Sequence, residues 1–405
     1  MKNVILSASV VVALFFVSCS SDDDNKSIDH TVVPPASYKF ERGGESTISF
    51  EGQTTRLLMG AELKSALLDF DNATEASLLA MYGHEAGNND FSVPELNASN
   101  KNLRSKTAAS NDYFASNASE SALIKSTLEG FISSQVNEVF PNNMVVAAPG
   151  VAGQIADGSK TRYVNGNGLE YNQAFAKSLL GALMADQMLN NYLSPAVLDE
   201  GSNRENNDNG ITEENKNYTS MEHKWDEAYG YLYGNSQDIA NPNLTIGEDD
   251  VFLNEYVGNV SKDPDFSYLA TDIFDAFKLG RAAIVAKNYE VRDAQAAIIR
   301  ANVSKVIAVR GIFYLQVGKN KIVSGNREGA FHALSEAYGF VYSLRFTRDS
   351  QTNTPLFTRS EVDALLNQLM GAENGYWGIT PETLDAVSEA IAQKFDFTVA
   401  QAASI

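Results

Sequence analysis

His223-Lys-Trp-Asp-Glu227-Ala-Tyr-Gly230-Tyr-Leu-Tyr233 returns 109 residues further on as His332-Ala-Leu-Ser-Glu336-Ala-Tyr-Gly339-Phe-Val-Tyr342. Both copies follow His-x-x-x-Glu-Ala-Tyr-Gly-(Tyr/Phe)-(Leu/Val)-Tyr. Residues four apart lie one above the other on the same face of an α-helix. The echo therefore predicts two related helical halves, each presenting a His and a Glu at matching positions. A glycine inside a helix costs roughly 1 kcal/mol relative to Ala, so Gly230 and Gly339 mark a close approach of neighbouring backbone. Two equivalent helices crossing near these glycines would carry both His/Glu pairs to one place.

Helical periodicity extends outward from the echo. Over residues 170–193, Phe175, Leu179, Leu180, Leu183, Met184 and Met188 form a broad apolar stripe that stops before Ser194-Pro195. The same spacing predicts helices over 57–81, broken at Asp71-Asn72, and over 119–136, 221–233, 268–287, 292–317, 328–344, 359–370 and 381–395. In the last, Thr380 is a good N-cap with Pro381 at the first helical position. A long helix precedes each His helix: 170–193 before 221–233, and 292–317 before 328–344. Alternating residues around Gly43-Gly44 predict a short hairpin within 38–56. The fold class is all-α: a duplicated helical bundle with a short β-hairpin near the N-terminus. Residues 57–405 divide into two pseudo-repeated lobes with a boundary near 240–265. The Asn-, Asp-, Glu- and Gly-rich stretch 199–218 reads as an exposed loop. It lacks calcium-loop spacing, since Lys216 stands where the bidentate Glu belongs.

The chain opens with Lys2 and an apolar run from Val4 to Val17, too short for a comfortable membrane span. The run ends at Cys19, the one cysteine, so no intramolecular disulfide forms. Phe16-Val-Ser-Cys19 resembles a lipobox, which makes 1–18 a lipoprotein signal peptide and Cys19 the acylated first residue. Several acyl chains, at about 0.8 kcal/mol per buried methylene, anchor a protein firmly in a bilayer. Ser20-Ser-Asp-Asp-Asp24 resembles the signal that sends lipoproteins to the outer face of the outer membrane, and 19–37 reads as a flexible acidic tether. The expected location is the outer membrane, lipid-anchored and surface-exposed.

Lys plus Arg number 31 and Asp plus Glu 51, for a formal charge of −20. Such a charge argues against nucleic acid as a partner and permits cations. The chain has no His-Glu-x-x-His zinc motif, no Gly-Lys-(Ser/Thr) phosphate loop and no Gly-x-Ser-x-Gly elbow. Converging His223, Glu227, His332 and Glu336 would offer two imidazoles and two carboxylates, a set suited to a divalent or ferric ion. Glu222, Asp226, Tyr229 and Tyr338 stand beside them in sequence as further oxygen donors. Alternatively the pairs are plain hydrogen-bonded contacts that pin helices together.

Phe331-His-Ala-Leu-Ser-Glu-Ala-Tyr-Gly-Phe340, Phe50-Glu-Gly-Gln-Thr-Thr-Arg56 and Gly168-Leu-Glu-Tyr-Asn-Gln-Ala-Phe-Ala-Lys-Ser-Leu-Leu-Gly-Ala182 resemble signatures of an uncharacterised family of Bacteroidota-type lipoproteins related to the imelysin-like proteins. The resemblance covers most of the mature chain. It implies an all-α protein of two four-helix bundles, linked to iron uptake and once classed with peptidases. The imelysin-like Gly-x-His-x-x-Glu motif is altered here: Asp226 and Ser335 take the Glu place, and Gly329 lies three residues before His332. The leading expectation is a binding protein for nutrient or metal acquisition, more a binder than an enzyme. A metal-dependent hydrolase and a purely structural protein are the other two readings.

Overall fold

The computed structural model describes residues 32–404; the signal segment, Cys19 and most of the tether lie outside them. The described residues are mostly helical, as the periodicity predicts. The hairpin pairs Glu41–Arg42 with Glu45–Ser46. Gly43 and Gly44 both have positive φ, 65° and 87°, the type I′ geometry whose twist matches paired strands.

A second hairpin, Gly153–Asp157 with Lys160–Val164, falls where the sequence reading expected no strand. Its signal is Asp157-Gly158, with Gly158 at φ 62° opening a two-residue loop. Helical expectation elsewhere hid a short strand pair of the kind that needs no long apolar run.

The longest helix, Tyr289–Val323, has 35 residues and so spans about 52 Å at 1.5 Å per residue. It packs against Leu269–Val285, Arg327–Ser343 and Pro381–Ala392. Thr380 caps the last of these by accepting from the Thr383 N–H, with Pro381 in the first turn. The predicted 57–81 segment is two helices, Glu51–Ala66 and Glu75–Gly83.

The segment 170–193 is one continuous rod but not a uniform one. It runs α-helical over Tyr171–Leu179, then passes through π-helical turns at Leu180–Ala185 and Met188–Tyr192. Every residue of these three pieces is buried, which an apolar stripe alone would not require. The one buried carboxylate within 171–192 is matched internally. The Asp186 carboxylate accepts from the backbone N–H of Ala109 and Ser110, from Ser110 Oγ at 2.7 Å and from Asn190 Nδ2. A buried carboxylate without such partners would cost several kcal/mol.

The two His helices, Ser220–Tyr233 and Arg327–Ser343, do not cross each other at their glycines. Each glycine is occupied by a different helix. A Cβ on Gly230 would meet Phe50 Cβ at 2.5 Å and Gln53 Cβ at 3.0 Å; one on Gly339 would meet Lys177 Cβ at 2.4 Å and the Ser178 backbone nitrogen at 3.0 Å. The close approach is real at both, but the neighbours are Glu51–Ala66 and Tyr171–Leu179. Those two helices touch in turn, with Gly60 beside Leu179. At both motif glycines, then, a helix from earlier in the chain crosses the His helix.

Candidate functional site

Each His helix begins with a cap that fixes its rotation. Thr219 accepts from the Glu222 N–H while the Glu222 carboxylate returns to the Thr219 N–H, a reciprocal capping box. Asn326 accepts from the Gly329 N–H at the start of the second. From these starts, His223 and His332 turn toward the N-terminal edge of the helix they cross, at Ser49 and Glu170.

His223 Nδ1 lies 3.0 Å from the carbonyl oxygen of Ser49. A carbonyl only accepts, so Nδ1 carries the hydrogen and Nε2 is left to other partners. The ring also stacks on Tyr218, centroids 4.5 Å apart and 17° from parallel. Glu227 accepts from Gln53 Nε2 at 2.9 Å. Both His223 and Glu227 are half-buried, and together they form the shared wall of two clefts of about 320 and 420 Å³. The smaller is lined by Arg56, Lys101, Lys106 and Lys216 as well as Tyr218; the larger by Glu200, Glu213 and Ser220.

The second pair is enclosed differently. His332 Nδ1 donates to the Glu170 carboxylate, 3.1 and 3.2 Å from its two oxygens. Nε2 faces Glu336 Oε2 at 3.7 Å, and Lys177 Nζ stands 3.5 Å from Glu336 Oε1. Glu170, Glu336 and Lys177 are all buried. The Lys177 ammonium also sits over the Tyr256 ring, 4.9 Å from its centroid. Glu170 and Ser49 play matching parts: each tethers the Nδ1 of a motif histidine from the N-terminal edge of the crossing helix. In this copy both the histidine and the glutamate of the motif have charged partners.

The remaining sequence candidates serve the interior. Arg281, wholly buried, joins Glu222 at 3.0 Å, Asp226 at 3.1 Å and the Thr47 hydroxyl. Arg42 adds a second cation on Glu222. Burial alone would raise the Glu222 carboxyl, but Arg281, the Thr219 N–H and Arg42 hold it below its ordinary value. At Asp226 burial outweighs the Arg281 guanidinium and the Tyr38 hydroxyl, and pushes the group up to about 6. Tyr229 stacks on Tyr38 and donates to the Ile239 carbonyl at 2.6 Å. Tyr338 packs edge-on against Phe131, and burial raises its hydroxyl to about 12. Neither tyrosine reaches a motif histidine. The sequence reading missed Ser49, Tyr218, Gln53, Glu170, Lys177 and Arg281 as site residues; Gln53 falls in the 50–56 signature, and Glu170 and Lys177 in the 168–182 signature.

The four motif side chains are not brought into one donor set. Among the described residues no group of three or more His, Cys, Asp or Glu side chains is placed to hold a metal ion. At the first pair only one imidazole and one carboxylate meet, fewer than the three or four protein ligands of an ordinary zinc site. At the second, Lys177 occupies the carboxylate that a cation would need. These residues do not fit the iron or zinc centre that the four-residue spacing raised.

No helix of the described residues is long and apolar enough to cross a membrane. No curated protein and no solved structure matches the chain. The model of a domain of unknown function, DUF4856, matches residues 35–398, and the chain belongs to that family.

Proposed function

We propose that this protein is a lipid-anchored binding protein of the outer membrane, held through Cys19, that captures a small solute for uptake in the clefts around His223 and Glu227. One observation carries the reading: the His223 ring is fixed by a carbonyl at Nδ1 and a stacked tyrosine, and so keeps Nε2 for a ligand. A side chain locked before the ligand arrives loses little entropy on binding. The clefts that meet at this wall lie at the lower end of the roughly 300–1,000 Å³ usual for small-ligand pockets. The matched His332 pair, saturated by Glu170 and Lys177, is a structural relic of the same unit. Kinship with the imelysin-like proteins belongs to this proposal as a shared capture role, without peptidase chemistry.

Thermal melts of the full chain with separate panels of hexoses, uronic acids, sugar phosphates and amino acids test it. A ligand of the folded state raises the melting temperature. At least one panel is expected to do so, and His223→Ala to remove the rise. A flat response to all four panels would contradict the proposal.

A further inference from the structure

With 51 acidic residues against 31 basic ones, a cation in this chain has carboxylates in surplus to pair with. Many do pair: Lys305 with Asp396, Lys319 with Asp385, Lys321 with Asp157. The smaller cleft beside His223 departs from that pattern. Lys101, Lys106 and Lys216 line it, and none of the three has an ion pair among the described residues. Arg56, buried beneath them, directs Nε and Nη1 to the carbonyls of Asn102 and Gly52, each at 3.0 Å, and to no carboxylate.

Lys106 is the most telling of the group. It is half-buried, with its ammonium over the Tyr192 ring at 5.6 Å. Burial lowers its pKa, and the cations Arg56, Lys224 and Lys101 lower it further against the pull of Glu227. Arg56, Lys101, Lys106 and Lys216 outnumber the carboxylates of this cleft, and a surplus of like charge stores repulsion that a bound anion relieves. Two carboxylates also line the cleft. Glu51 is exposed, and Glu227 is held by Gln53 and shared with the neighbouring cleft. That neighbour presents Glu200, Glu213 and Ser220, acceptors suited to hydroxyl groups, alongside Lys224, which lies 3.9 Å from Glu200.

Resting on the capture site proposed above, we infer that its solute is a small anionic sugar, a uronate or a sugar phosphate. Its carboxylate or phosphate lies among Lys101, Lys106 and Lys216, and its hydroxyls lie against Glu227 and the adjoining acidic cleft. Lysine ammoniums suit either oxyanion as point charges. The half-buried position of Lys106 makes its contact stronger than one at an open surface.

Calorimetric titration of the full chain with glucose, glucuronate and glucose 6-phosphate decides the matter, since the three share a scaffold and differ in charge. At least one anionic sugar is expected to bind saturably and glucose to give no heat. The carboxylate and phosphate arms tell the two sources of charge apart. Raising NaCl from about 50 to about 500 mM shortens the screening length and is expected to weaken binding. Lys101→Gln/Lys106→Gln is expected to weaken it about tenfold or more, with an unchanged circular dichroism spectrum. Lys216→Gln, on an exposed loop, is the second variant should the double one misfold, and is expected to weaken binding in the same direction. Glucose binding as tightly as the anions would overturn this inference and leave the capture site standing. Failure of both anionic sugars to bind, or binding unaffected by the lysine variants, would also overturn it. The capture site itself falls only if hexoses and amino acids, too, leave the melting curve unmoved.

Discussion

A single residue, Arg281, holds the interior of the first His helix together. Its guanidinium is fully buried between Glu222 and Asp226. Buried ion pairs add little net stability over an apolar replacement, but removing one partner strands the other charges. Arg281→Met is therefore expected to cost about 3–5 kcal/mol by denaturant unfolding. A loss under about 1 kcal/mol would show that Glu222 and Asp226 find other partners. The same cluster sets a pH dependence. Because the Glu222 carboxyl is held below its ordinary value near 4.5, the unfolded chain takes up this proton first as pH falls. Its contribution is complete above about 4.5 and is lost as pH drops through the folded-state value. The stability gap between wild type and Glu222→Gln should then narrow from pH 7 to pH 3.5. A gap independent of pH would contradict the assignment.

At the scale of helices, the glycines separate two kinds of position. Gly339→Ala would drive a Cβ into Lys177 Cβ and into the backbone of Ser178 and Ala174, and overpacking of this kind costs about 1–3 kcal/mol. Gly311, inside Tyr289–Val323, meets nothing closer than Phe340 Cβ at 3.6 Å. There Ala relieves the helix penalty of glycine and should stabilise by about 0.5–1 kcal/mol. Opposite signs in paired unfolding curves are expected; equal signs would mean that Gly339 is not a crossing point. These contrasts also mark what the sequence made legible. Local signals were legible: the capped start at Thr380-Pro381, the helix Arg359–Met370, the rod beginning at Tyr171, and the glycines as places of close approach. The partner at each glycine was not. His223 meets a residue 174 positions away and His332 one 162 positions away. Spacing along one helix fixes which side chains share a face but says nothing of which distant element covers it. Asp157-Gly158 carried a hairpin signal, overlooked beside the stronger helical periods.

Across the whole molecule, one motif appears twice in two states. Around His332, Glu170, Glu336 and Lys177 close a buried network on itself. Around His223 the corresponding tether is a backbone carbonyl, two clefts meet, and Lys101, Lys106 and Lys216 have no ion pair among the described residues. The two copies share the helix crossing at the motif glycine and differ in charge and access. The formal charge of −20 makes the basic cleft an exception on this protein. Melting curves with and without glucuronate or glucose 6-phosphate, on wild type, His223→Ala and His332→Ala together, test this division of labour between the two copies. His332→Ala should lower the unliganded melting temperature, by the equivalent of about 1–3 kcal/mol for a buried Glu170 left unpaired, while keeping the ligand-induced rise. His223→Ala should melt close to wild type and lose the rise. A His332→Ala protein that melts like wild type but no longer responds to the sugars, beside a His223→Ala protein that still does, would contradict the account.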